Sequence, residues 1–354
     1  MRRFSHFLFE NFDPEAHSAN PRNPRNFLNA EADAVLSHVA RFPARSCPAK
    51  ALPRDVLSPL LEGGILRLED GFLLYDTPVF LKEDAAPLQD AMSRSAHQIT
   101  DQLLPAVPAL RRCCAGLNPF SAEENLYHLL CGMVFDGLFF DYLSRREIVA
   151  ISRPHASGLD YLSVIYEQCP QLDTFSDGLL CSYNRCTDGR TSLQSFGDAN
   201  GDRFDFYRVS RQLEAGKQVS CPPLPETPRL LAQVQELILH GHCDPDIMTL
   251  LETFGYAKEG SPCVPVYGPE AQAAALELEA IVEAQVGDAF AEALSVLPDI
   301  TAVRHGVSAK EIANELYHIL FGSVNEALAA RGIVAAPTHI PGEGRYLRCI
   351  QLDF

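Results

Sequence analysis

Ser121-Ala-Glu-Glu-Asn-Leu-Tyr127-His128-Leu-Leu-Cys-Gly132-Met-Val134 returns later in the chain as Ser308-Ala-Lys-Glu-Ile-Ala-Asn-Glu-Leu-Tyr317-His318-Ile-Leu-Phe-Gly322-Ser-Val324, with three extra residues before the Tyr-His pair. The correspondence runs on. Arg146-Glu-Ile148-Val149-Ala150 matches Arg331-Gly-Ile333-Val334-Ala335, His155 matches His339, and Gly158-Leu-Asp-Tyr161-Leu162 matches Gly344-Arg-Tyr346-Leu347, with Ile165 against Ile350. Upstream, Leu60-Leu61-Glu62 aligns with Leu250-Leu251-Glu252 and Pro78-Val79-Phe80 with Pro265-Val266-Tyr267. A shared order of turns and helices at this spacing reads as an internal duplication. The two repeat units cover about 1–168 and about 202–354, and 169–201 is a connecting insert with no counterpart.

Each unit predicts short helices and hairpins. Asn26 or Asn29 caps a helix reaching about Phe42, with Ala30, Ala34, Val35 and Val39 on one face. A second helix enters at Pro53, carries Val56, Leu57, Leu60 and Leu61, and stops at Gly63-Gly64. Ile65 to Leu68 and Phe72 to Tyr75 then flank Asp70-Gly71, whose residue types tolerate the positive φ of a tight hairpin turn. Leu88, Met92, Ile99 and Leu103 mark a longer amphipathic helix. Ser121 to Leu143 is apolar nearly all round, the pattern of a core helix. Ile148 to Ser152 and Tyr161 to Tyr166 are expected to close the copy as a strand pair. Within the insert, Leu179 to Asn184 and Thr191 to Phe196 flank Asp188-Gly189 and read as a hairpin. The class that follows is α+β, internally duplicated and helix-rich, with the units in a pseudo-twofold arrangement.

The run Leu57 to Phe80 resembles the end of a winged-helix domain: a helix, a Gly-rich stop, a strand, an Asp-Gly wing turn and a second strand. The likeness covers about fifty residues from Phe27, and its counterpart from Leu250 to Tyr267, after the helix from Leu230, is looser. The resemblance implies a binding or regulatory protein, transcription-related or directed at a protein partner. Such regulators present a basic recognition helix. Here Pro53 to Gly63 offers Arg54 beside Asp55 and Glu62, and the matching Asp246 to Phe254 has no basic residue.

Charge sharpens that difference. The 354 residues carry 29 Lys+Arg against 46 Asp+Glu, a net −17, yet residues 1–54 hold eight basic groups against five acids. That stretch is +3 and the remainder −20. An acidic body repels nucleic acid at long range, so DNA contact is expected only through the N-terminal repeat, at Arg41, Arg45, Lys50 and Arg54. The other reading of these arginines is a scatter of solvated charges.

The alternative function is an enzyme or small-molecule sensor with a Tyr/His site in a cleft between the repeats. Its candidates are Tyr127, His128, His155, Tyr317, His318 and His339. Glu124 and Glu315 precede the helical histidines by four and three residues, which puts carboxylate and imidazole on one helix face. Glu-x-x-His is also a di-metal spacing, but such a site needs further carboxylates from facing helices, and the first copy has Asn125 where the motif requires an acid. Hydrogen-bonded packing is the competing account of the histidines, and Gly132 and Gly322 suit close helix approach.

His240, His242 and Cys243 with Asp244 form a compact set of zinc-type ligands. A helix from Leu230 to Leu239 stopped at Gly241, with Asp244 capping the next one, explains the same residues. Asp198-Ala-Asn200-Gly-Asp202 opens like a calcium loop but lacks its Gly and Glu, so a turn is expected. Nucleotide-loop, zinc-protease and hydrolase motifs are absent, and no cofactor and no metal are expected. Eleven cysteines without a Cys-x-x-Cys pair, and no apolar leader, point to free thiols in a cytoplasmic protein. No membrane span is expected, because Tyr127, His128, Asp136 and Asp141 interrupt the most apolar run.

Overall fold

In the computed structural model, Leu66–Glu69 (β3) and Phe72–Tyr75 (β4) pair antiparallel around Asp70 and Gly71, at φ 53° and 84°. Two successive positive φ angles give the turn whose twist matches that of the strands. Cys47–Pro48 (β2) pairs with the other edge of β4, giving the order β2-β4-β3. Before the hairpin, helix Arg54–Glu62 follows Pro53, buries Leu57 and Leu60, and ends where Gly64 takes φ 68°. Helix Ala30–Val39 begins at Asn29, whose side chain accepts the amides of Glu31 and Ala32 at 2.9 and 3.2 Å. Its inward face differs from expectation. Ala30 and Ala34 are exposed, while Ala32, Val35, Leu36 and Val39 are buried, a rotation that trades methyls for larger apolar side chains. The structure describes residues 2–10, 24–154, 160–199 and 201–352.

The fold is α+β, and the chain forms two compact units, neither of them continuous in sequence. One consists of 1–95, 141–175 and 289–320; the other of 96–140, 176–288 and 321–354. Each therefore takes its hairpin and last strand from one of the expected repeats, and the start of a long Tyr-His helix from the other.

The first unit is built around Asp160–Glu167 (β7). It runs antiparallel to Phe4–Glu10 (β1) and parallel to Val79–Phe80 (β5), with Arg153–Pro154 (β6) beside its start. The strand expected over Ile148 to Ser152 is absent. Ala150 donates its amide to the Lys310 carbonyl at 2.9 Å and accepts from Asn314 Nδ2 at 2.6 Å, so its polar groups serve helix Ala309–Ala330 instead of a ladder.

In the second unit Gly344–Leu352 (β14) has the corresponding place. It pairs parallel with Val266–Tyr267 (β12) and antiparallel with Thr191–Asp198 (β9), which forms the expected hairpin with Leu180–Thr187 (β8). β9, part of the insert, thus stands where β1 stands in the first unit. A short hairpin of Ala257–Lys258 (β10) and Ser261–Pro262 (β11) turns on Glu259 and Gly260 at φ 52° and 77°. His339–Ile340 (β13) pairs with β14.

Aligned positions make the same backbone bonds: Ile165 to Pro78 and Ile350 to Pro265, and Ala150 to Lys310 and Ala335 to Glu123, all at 2.9 Å.

Helix Ala122–Arg145 opens on a reciprocal cap, in which the Ser121 hydroxyl accepts the Glu124 amide at 3.2 Å and the Glu124 carboxylate accepts the Ser121 amide at 3.1 Å. From Tyr127 to Leu138 it widens into a π-helix. It is mostly buried, although by length and composition alone it is apolar enough to cross a membrane, despite the polar interruptions. Gly132 and Gly322 do mark close approach, but to strand β8 and its lead-in instead of to a helix. A Cβ at Gly132 would sit 2.2 Å from the Tyr183 hydroxyl, and one at Gly322 3.0 Å from Leu179 Cβ.

Candidate functional site

The basic candidates lie on the connection between the two helices of the first helix-hairpin. Arg41 follows helix Ala30–Val39, Arg45 holds φ 62° in the next turn, Lys50 sits in the 3₁₀ turn Ala49–Ala51, and Arg54 opens helix Arg54–Glu62. All four side chains are exposed. Arg45 reaches Glu69 on β3 at 3.3 Å, but both groups are solvated and such pairs are weak. The arrangement presents ammonium and guanidinium groups that can neutralise phosphates, with Leu68 of β3 left 55% exposed beside them. Helix Pro245–Thr253, the counterpart of Arg54–Glu62, presents Asp246 in its first turn and no basic group in its last.

The two Tyr-His pairs fall in different units and have different surroundings. Tyr127 is buried and donates its hydroxyl to the Phe196 carbonyl at 3.0 Å, and burial keeps it protonated far above the usual phenol range. His128 beside it is 1% exposed. Burial pushes its imidazole down to about 3, so it is neutral at physiological pH, and its Nδ1 has no partner among the described residues. Its ring faces Tyr267 at 5.9 Å, and the Tyr267 hydroxyl donates to Asn125 Oδ1 at 3.0 Å. These groups are buried in the core around the π-helical segment.

Tyr317 is likewise buried, packed 5.8 Å from Phe290. His318 is half-buried, with Nδ1 at 2.8 Å from the Asn314 carbonyl and its ring stacked on Phe9 at 5.3 Å. The carboxylates paired with these histidines in sequence are engaged elsewhere: Glu124 in the cap, Glu315 by the Tyr166 hydroxyl at 2.5 Å. His339 is exposed on β13, and His155 lies outside the described residues.

His240 and His242 are exposed with ring centroids 6.2 Å apart, and Cys243 is half-buried. Gly241 ends helix Thr227–His240 at φ 77°, as expected. Asp244 holds the cap position of helix Pro245–Thr253 without a capping bond, because its carboxylate accepts Arg229 at 3.1 Å. Among the described residues no group of three or more His, Cys, Asp or Glu could hold a metal ion. Asp198, the first residue of the calcium-like sequence, accepts the amide of Arg345 at 2.7 Å and pairs with its guanidinium at 2.9 Å.

Sequence reasoning missed two features. His305 is buried, and its Nδ1 accepts the Tyr75 amide at 3.1 Å. Burial, with Arg67 and Arg304 nearby, pushes it down to about 4. A cavity of about 250 Å³ in the second unit contains none of the candidate residues. Its walls come from three separate segments, and no local pattern announces it. No protein-family model, no curated protein and no solved structure matches the chain.

Proposed function

We propose that this chain is an internally duplicated binding or regulatory protein, whose first helix-hairpin contacts DNA through phosphate neutralisation. One observation carries the reading: Arg41, Arg45, Lys50 and Arg54 are all exposed on one connection, in a chain whose remainder is strongly acidic. The three-stranded order β2-β4-β3, following helices Ala30–Val39 and Arg54–Glu62 with strand β2 between them in the chain, supports the winged-helix reading. The second helix-hairpin, without basic groups on its matching helix, serves as scaffold or as a protein-binding face. Eleven free thiols, several of them buried, suit a cytoplasmic setting.

The test is fluorescence anisotropy with a labelled duplex in 50 mM salt. Binding that is lost when Arg41, Arg45 and Arg54 are replaced together by Gln supports the reading. No binding even at low salt would overturn it and leave a protein partner as the target.

A further inference from the structure

We propose that the cavity of about 250 Å³ in the second unit is a binding site for a small monocarboxylate with a compact apolar body, such as a single ring or a short alkyl chain. Its walls come from the end of hairpin strand β8, helix Phe206–Glu214 and the start of helix Thr227–His240. Phe206, Leu224 and Leu230 supply the apolar surface, and Arg185 is the only charged side chain in the lining.

Arg185 is held ready for an anion. Its guanidinium carbon lies over the Tyr183 ring, 4.5 Å from its centre, a cation–π contact that leaves its N–H donors without an acceptor among the described residues. Among the described residues no carboxylate pairs with it. A planar guanidinium edge matches a carboxylate through two parallel bonds.

A second positive element faces the same space. Thr227 is the first residue of a helix of 14 residues, and Glu226 at its cap makes no side-chain bond to the opening amides. That helix end adds partial positive charge. Of the acids flanking the lining in sequence, Asp188 and Glu214 are engaged, and Glu226, between Pro225 and Thr227, is exposed to solvent. Asp188 accepts the amides of Arg190 and Thr191 at 2.9 and 2.8 Å, and Glu214 accepts from Ser210 and Arg211 at 3.2 Å each. An anionic head at Arg185 with an apolar tail against Phe206, Leu224 and Leu230 matches both the charged and the apolar parts of the lining. A bare inorganic anion leaves the apolar floor unused, and a neutral amide leaves the guanidinium without a counter-charge. The site stands whether or not the chain binds DNA.

Titration calorimetry of the full chain with benzoate, hexanoate, benzamide, acetate and inorganic phosphate tests the assignment. Benzoate or hexanoate is expected to bind with a dissociation constant at or below about 1 mM. Benzamide, acetate and phosphate should each bind at least about tenfold more weakly, and Arg185→Gln should weaken the carboxylates by about tenfold or more. Leu224→Trp, which fills the space while leaving Arg185 in place, should abolish binding, with a circular-dichroism melt verifying that each variant is folded. Equal affinity for benzoate and benzamide, undiminished binding by folded Arg185→Gln, or no heat from either carboxylate at millimolar concentration would overturn it. Preferential binding of inorganic phosphate would also overturn it and would assign the cavity to an inorganic anion.

Discussion

His305 shows how one buried side chain ties stability to pH. Its neutral imidazole accepts the Tyr75 amide, and burial with two nearby arginines keeps it neutral down to about 4, against 6.5 for a free histidine. Between those values the unfolded chain binds a proton that the folded chain refuses, so stability rises with pH across this window. The contribution is fully present above pH 6.5 and is lost as pH falls toward 4, an effect of about 3 kcal/mol. Urea melts of the wild type and His305→Gln should therefore differ most near pH 7 and converge near pH 4; a gap independent of pH would refute this. Gly132 makes the opposite kind of prediction, a purely steric one. A methyl there meets the Tyr183 ring, so Gly132→Ala should cost about 1–3 kcal/mol. In a Tyr183→Ala background that cost should largely vanish, which a double-mutant cycle measures directly.

At the level of elements, one carboxylate ties both strands of the hairpin insert to the helix that follows it. Buried Asp205 accepts Asn184 of β8 at 2.8 Å and Ser195 of β9 at 2.6 Å, and it caps helix Phe206–Glu214 by accepting the Arg208 amide at 2.8 Å. Asp205→Ala removes the cap and strands two buried donors, so a loss of about 3 kcal/mol or more in urea-denaturation stability is expected. A loss under about 1 kcal/mol would mean that other contacts hold the hairpin.

Elements made by neighbouring residues were the legible ones. The Asp70-Gly71 and Asp188-Gly189 turns, the Asn29 cap and the Gly241 stop depend on a few adjacent side chains, and the structure has them where the residue types imply. Phe4–Glu10 went unread because its partner, β7, lies far along the chain, although its Phe and Leu content was a strand signal. The π-widening of Tyr127–Leu138 has no periodic signature either. It is a change of hydrogen-bond register inside a segment that was already apolar all round. The candidate sites divide the same way: Arg41 to Arg54 could be read as exposed from charge alone, whereas the cavity at Arg185 needed three segments brought together in space.

For the whole molecule, the repeat units expected from the sequence and the compact units of the structure divide the chain differently. Each unit takes in the start of a Tyr-His helix that lies outside the expected repeat supplying its hairpin, so neither 1–168 nor 202–354 cut from the chain carries a complete unit. Expressed alone, residues 1–168 should lack the 289–320 helical segment, and with it the bonds from Ala150 to Lys310 and from Arg153 to Glu311. The fragment is expected to show no cooperative thermal transition by circular dichroism; a sharp melt equal to that of the full chain would show that the borrowed helix is dispensable.

Charge follows its own division, +3 in residues 1–54 against −20 beyond them, and this asymmetry underlies the proposed function. The measurement that bears on it most directly is the salt dependence of duplex affinity. The logarithm of the binding constant should fall linearly with the logarithm of salt concentration, and each lost phosphate contact should flatten the slope by about 0.9. Replacing Arg45, Lys50 and Arg54 by Gln should flatten it by about 2–3. An unchanged slope in that variant, or an affinity insensitive to salt, would contradict a phosphate-binding surface on the first helix-hairpin.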